Sequence, residues 1–219
     1  MVVPTYRTWV PFRTWAALQV AVLFALLAWV GGCQTGQQVS SRRLIEHQAF
    51  IDFAGLKGDA PEPEVKTTLA TPRNWETMPW QSTPLYTHEQ WRSPSTHTGI
   101  GVIYAHLPLP LSAKAVVWLA KQEYTKKEQD GRVLNEWTDA LGRSWFEAEN
   151  NKYHIRGYVV VNGFDAWVVY FGYRTKYPMD VAEISLAARA AETAVPMIDE
   201  NAIKTAPATQ PAKAEEAAD

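Results

Sequence analysis

The most regular alternation of apolar and polar positions lies between residues 136 and 174, which read EWTDALGRSWFEAENNKYHIRGYVVVNGFDAWVVYFGYR. Turn signals at Leu141-Gly142, Asn150-Asn151 and Asn162-Gly163 cut this stretch into β-rich runs. A period of two marks strands that show one face to a core. The pattern predicts an antiparallel meander of four strands. Asn-Gly supplies the positive φ angles that a tight hairpin needs, so Asn162-Gly163 is the firmest turn.

A register follows from the turns. If Asn162-Gly163 is a two-residue loop, Tyr158 faces Trp167 and His154 faces Phe171. If Asn150-Asn151 is another, Glu147 faces His154 and Trp145 faces Arg156. Side chains alternate between faces along each strand. One face then carries Phe146, Ala148, Tyr153, Ile155, Val159, Val161, Phe164, Ala166, Val168 and Tyr170, the expected core side. The other carries Trp145, Glu147, Glu149, Lys152, His154, Arg156, Tyr158, Trp167, Val169, Phe171 and Tyr173, where aromatics mix with charges. Trp137 is left without a face, because the loop at Leu141-Gly142 accommodates two lengths.

Upstream, residues 65–69 form a strand stopped by Thr71-Pro72, residues 85–91 a second and residues 99–107 a third. Ile100, Val102, Tyr104 and His106 share one side of the third. Residues 44–53 read equally as a short helix or a strand, and residues 55–64 hold Gly, Asp and Pro that break regular structure. After the Pro-Leu-Pro-Leu run at 108–111, Ser112 caps a helix over Ala113–Lys127 whose stripe is Ala113, Val116, Val117, Ala120 and Tyr124, with Trp118 beside it. Asp180, with Glu183 three residues on, caps a last helix with a stripe of Val181, Ile184, Ala188, Ala191 and Val195. Pro196 ends it. Residues 199–219 are rich in Ala, Pro, Lys and Glu and bury too little to order themselves.

The N-terminal residues change the picture. Arg7 and Arg13 precede an uncharged apolar run over residues 15–30, which is short for a membrane span and has the proportions of a signal-peptide core. The run ends in Val30-Gly31-Gly32-Cys33, and Cys33 is the only cysteine. This resembles the lipobox of bacterial lipoproteins, with Val and Gly where Leu and Ala or Ser are commoner. The resemblance implies cleavage after residue 32, lipid on Cys33, membrane attachment through it and no disulfide. Gln34 stands where Asp would be a retention signal, which by the same resemblance favours the outer over the inner membrane. Residues 33–64 then form the anchor, a polar tether and an irregular segment, and residues 65–198 the folded domain. Net charge is −2 for the whole chain and becomes more negative without Arg7 and Arg13, so no nucleic-acid footprint is present.

The element order, β-β-β-α-β-β-β-β-α with Pro72 and Trp75 at a Pro-x-x-Trp start, is similar to the PsbP-like α-β-α sandwich of small exported and lipid-anchored accessory proteins. The fold class expected is α+β, an antiparallel sheet of about six to seven strands with helices packed on it. The resemblance implies a binding or assembly module and transfers no catalytic residue. No G-x-S-x-G, P-loop or H-E-x-x-H motif occurs, and the His residues lack metal-ligand spacing, so no cofactor or metal is expected. Ser93 and His97 share a loop, but no third group orients them as a nucleophile and base.

Two functional classes remain. One is a non-catalytic envelope lipoprotein that binds a protein or glycan partner through Trp145, Glu147, His154, Arg156, Tyr158 and Trp167. The other is an envelope hydrolase using Glu147 and Glu149, whose spacing along one strand of about 7 Å fits an inverting carboxylate pair. Cross-strand charge pairing of those carboxylates favours the first. A helix lying over that face would instead make its aromatics core.

Overall fold

The structure, a computed structural model, describes residues 41–127 and 130–198. The signal segment, Cys33, the tether up to residue 40 and the C-terminal tail lie outside the described residues. The fold is α+β. Among the described residues ten strands run β1 (Ala60–Glu62), β2 (Thr67–Leu69), β3 (Glu76–Ser82), β4 (Thr87–Arg92), β5 (Thr98–His106), β6 (Arg132–Thr138), β7 (Ser144–Glu149), β8 (Tyr153–Asn162), β9 (Asp165–Arg174) and β10 (Val195–Pro196). The helices are α1 (Ser41–Gln48), α2 (Ala113–Lys127) and α3 (Val181–Glu192). Among the described residues a seven-stranded antiparallel sheet has the order β3-β4-β5-β9-β8-β7-β6, and β1-β2-β10 form a small second sheet.

The meander forms with its faces as read, but both hairpins are displaced by two residues. The β8–β9 loop is Gly163-Phe164, with positive φ at Gly163 alone, the pattern of a II′ turn, so Tyr158 faces Val169 and His154 faces Tyr173. The β7–β8 loop is longer than expected because Asn150 Oδ1 accepts from the backbone N–H groups of Lys152 and Tyr153. Trp145 therefore faces Tyr158, Glu147 faces Arg156 and Glu149 faces His154. A two-residue displacement preserves parity, which is why the faces survive.

Both faces are covered. α2 packs Val116 and Val117 on Phe146, Val159 and Ala166, with Ile155, Val161 and Val168 partly buried beside them. Ser112 Oγ accepts from the Ala115 N–H and caps α2 as read. The expected core face frays at its ends, where Tyr153 and Phe164 are exposed. Tyr170 lies across the small residue Gly101, where its hydroxyl accepts from Gln90 Nε2 at 2.6 Å and sits 2.6 Å from His88 Nε2.

The larger core lies on the mixed face. There α3 sets Ala187, Ala190 and Ala191 over Tyr158, Val169, Phe171, Ile100 and Val102. Asp180 Oδ1 caps α3 by accepting from Ala182 and Glu183, while the Glu183 carboxylate takes a bond from Ser95 Oγ. Val181, expected in the buried stripe, is exposed, because the small residues at 187, 190 and 191 face the sheet.

Two elements depart from the sequence reading. β3 contains Pro79, which argues against a strand, yet it runs at the sheet edge with an irregularity between Met78 and Gln81. Edge strands tolerate proline there. Residues 44–53 resolve to α1 and its turn. Leu44 and Leu56 are each 2 % exposed in the main core, so the folded unit begins before residue 65. Among the described residues no helix is long and apolar enough to cross a membrane.

Candidate functional site

Of the six residues expected on one binding patch, three are interior. Tyr158 and Trp167 are fully buried, and Trp145 is 6 % exposed. The two fully buried aromatics fix what covers them. The Tyr158 hydroxyl donates to Ala191 O at 2.8 Å, holding the end of α3, and Trp167 Nε1 donates to Val65 O at 3.1 Å, holding the 3-10 turn at Pro63–Val65. A large ring with one polar tip suits such a position, since the buried tip finds its own acceptor in a backbone carbonyl.

The other three residues form an ion-paired group further along the strands. Glu147 Oε1 accepts from Arg156 Nη2 at 3.0 Å and lies 2.9 Å from His154 Nε2. His154 stacks on Tyr173 at 5.1 Å and its Nδ1 lies 3.4 Å from Glu149. Partial burial pushes the Glu147 carboxyl up, but the bonds from Arg156 and His154 outweigh it and hold the group below the usual carboxylate range. A general acid needs the opposite shift. Glu149 is also partnered, by His154 and by Arg132 at 3.6 Å.

Trp145 and Arg156 do line a cavity, with residues that the sequence left unassigned. A cleft of about 370 Å³ opens beside α1 and the C-terminal half of α3, lined by His47, Trp137, Asp139, Ala140, Leu141, Arg143, Trp145, Arg156, Phe171, Ala188 and Glu192. That volume lies in the range of small-ligand sites. Trp137 stands opposite Trp145 and stacks on it at 5.5 Å and 9°. Arg156 lies over the Trp137 ring at 5.6 Å.

Arg143 organises the floor. It follows Gly142, whose φ of +85° closes the β6–β7 turn, and Asp139 Oδ1 accepts from the backbone N–H groups of Leu141 and Arg143. Its Nε donates to Asp139 Oδ2 at 2.6 Å, its Nη2 to Glu192 Oε2 at 2.6 Å, and its guanidinium lies 4.3 Å over the Tyr158 ring. Asp139 Oδ2 also accepts from Trp145 Nε1 at 2.8 Å, and His47 Nε2 lies 3.0 Å from Glu192 Oε2. Burial opposes the Arg143 charge, but Tyr158 and Glu192 lead the groups that hold it firmly protonated. Burial likewise pushes Asp139 up, and the bonds from Trp145 and Arg143 bring it below its ordinary value. Arg143 is 2 % exposed, and its Nη1 has no hydrogen-bond partner.

The cleft thus presents half-buried Trp137 and exposed Arg156 over a buried layer of Trp145 and Arg143 with their carboxylates, which suits recognition of a polar ligand. Among the described residues no group of three or more His, Cys, Asp or Glu side chains could hold a metal ion. Ser93 is buried and bonded to Ser95 Oγ, while His97 stacks on Tyr177 at 3.8 Å.

No protein-family model matches the sequence, and no curated protein matches it. A solved structure from Bacteroides thetaiotaomicron is similar over 65 % of this chain and 49 % of that chain, at 10 % identity and a TM-score of 0.35. The chain therefore spans about half the length of that structure.

Proposed function

We propose that the chain is a lipid-anchored cell-envelope protein, attached through Cys33, that acts as a non-catalytic binding module. Its ligand site is the cleft at Trp137, Arg143, Trp145 and Arg156, and its ligand is an envelope glycan. The observation that carries this reading is the cleft itself: half-buried Trp137 stacked on Trp145, with exposed Arg156 over the Trp137 ring and buried Arg143 over the Trp145 ring. Sugars present a flat C–H face to an indole and hydroxyls to charged groups. The lipobox-like Val30-Gly31-Gly32-Cys33 supports the anchor, and Gln34 supports the outer membrane. The coverage of the sheet by α2 on one face and α3 on the other supports the PsbP-like sandwich as the finer description of the fold.

The test is a thermal-shift screen of soluble peptidoglycan fragments and envelope polysaccharides. Wild type is compared with the double change Trp137→Ala, Arg156→Ala. A ligand that raises the melting temperature of wild type but not of a stably folded variant supports the site. A ligand that stabilises both equally places binding elsewhere and removes the cleft from the account.

A further inference from the structure

The first helix and the turn after it leave two large apolar side chains in solvent. α1 buries Leu44 and Gln48 and sends His47 to the cleft. Ile45 and Phe50 are left 56 % and 88 % exposed, and Phe50 is the most exposed large apolar side chain among the described residues. Arg42 and Arg43 lie on the same helix as Ile45, Arg42 paired to Glu46 at 2.9 Å and Arg43 reaching Ala140 O at 3.0 Å.

We infer that Ile45 and Phe50 rest at the headgroup level of the membrane, as a second attachment beside the lipid. The inference rests on the anchor reading of Cys33. Eight residues carry the chain from Cys33 to Ser41, a reach of at most about 28 Å when fully extended. An acyl chain on Cys33 therefore keeps α1 within a bilayer's thickness of the lipid surface. A phenyl ring and an aliphatic side chain with arginines close by in the chain have the composition of an interfacial contact. The rings and chains enter the headgroup boundary and the guanidinium groups stay among phosphates. A soluble protein partner would have no covalent reason to meet this corner of the molecule. Because α1 also carries His47, the contact holds the cleft close to the bilayer, where the ligand would be a component of the membrane-proximal envelope.

The test replaces residues 1–33 with a hexahistidine tag and tethers the chain to vesicles of phosphatidylethanolamine, phosphatidylglycerol and nickel-chelating lipid. The tether takes the place of acylation. With Cys33 gone, Phe50→Cys gives a unique thiol for a fluorescent label. Met179→Cys is the control, 56 % exposed and before the opposite end of α3 from Glu192. Nitroxide-bearing lipid should quench the label at 50 about threefold or more beyond the label at 179. Equal quenching at the two sites overturns the membrane contact. So does a label at 50 that answers to the density of chains on the vesicle and not to nitroxide lipid, which would make the patch a contact between copies. Fatty-acid labelling of Cys33 in cells tests the anchor separately, so the two readings fail by different results.

Discussion

The Arg143 guanidinium lies between Asp139 and Glu192 and over the Tyr158 ring. Removing one partner of such a group leaves buried charge uncompensated. Arg143→Met should lower stability by about 2–4 kcal/mol in chemical denaturation, less than for a fully buried pair because Glu192 is 30 % exposed. Glu89 makes a different case. It is 8 % exposed, its Oε2 has no partner, and burial followed by repulsion from Glu62 and Glu64 pushes its carboxyl from 4.5 up to about 7. The folded state then holds this proton more tightly than the unfolded chain. Its contribution to stability is full below about 4.5 and is lost as pH rises to about 7. Glu89→Gln should therefore raise stability at pH 8 by on the order of 2 kcal/mol and flatten the slope across that window. Equal pH profiles for wild type and variant would show that Glu89 is solvated.

At the scale of elements, Gly157 sits in β8 between Phe146 and Tyr170, and a Cβ there would stand 2.8 Å from the backbone oxygen of Val169. Backbone cannot retreat as a side-chain tip can, so Gly157→Ala should cost about 1–3 kcal/mol by denaturant titration. Deleting residues 41–64 removes Leu44 and Leu56 from the main core, so a chain starting at residue 65 should unfold at a clearly lower temperature. An unchanged melting temperature would make α1 an appendage. These elements differ in how far the sequence disclosed them. α2 was legible to its ends, because a serine cap and a helical stripe are local signals. The sheet faces were legible because parity survives a two-residue error in a turn. β3 was hidden by Pro79, whose tolerance depends on lying at an edge, and edge position is a property of the whole sheet. α1 was hidden because a short amphipathic run has no period long enough to separate helix from strand.

For the molecule as a whole, the sequence named Trp145 and Arg156 but could not name the cleft. His47 and Glu192 are separated by 145 residues and meet only after α1 and α3 settle on the same side of the sheet. Asp139 and Arg143 had a local signal, a turn aspartate four residues before an arginine, yet nothing local pairs them with Glu192. Tyr158 and Trp167 were placed on the correct face, and their burial was decided by what α3 and the Pro63–Val65 turn lay over it. Anchoring is testable at this scale too. Metabolic labelling with a fatty acid should mark the wild-type chain and leave Cys33→Ser unlabelled, and equal labelling would put the lipid elsewhere. The claim that unites the account is recognition without turnover in the Trp137–Arg143 cleft. The most direct measurement is a tryptophan-fluorescence titration with soluble peptidoglycan fragments, followed by product analysis of the same sample. The account predicts a saturable change in emission, absent in Trp137→Ala, Arg156→Ala, with every fragment recovered intact. Cleaved fragments, with cleavage abolished by Glu147→Gln, would contradict it and make the protein a hydrolase.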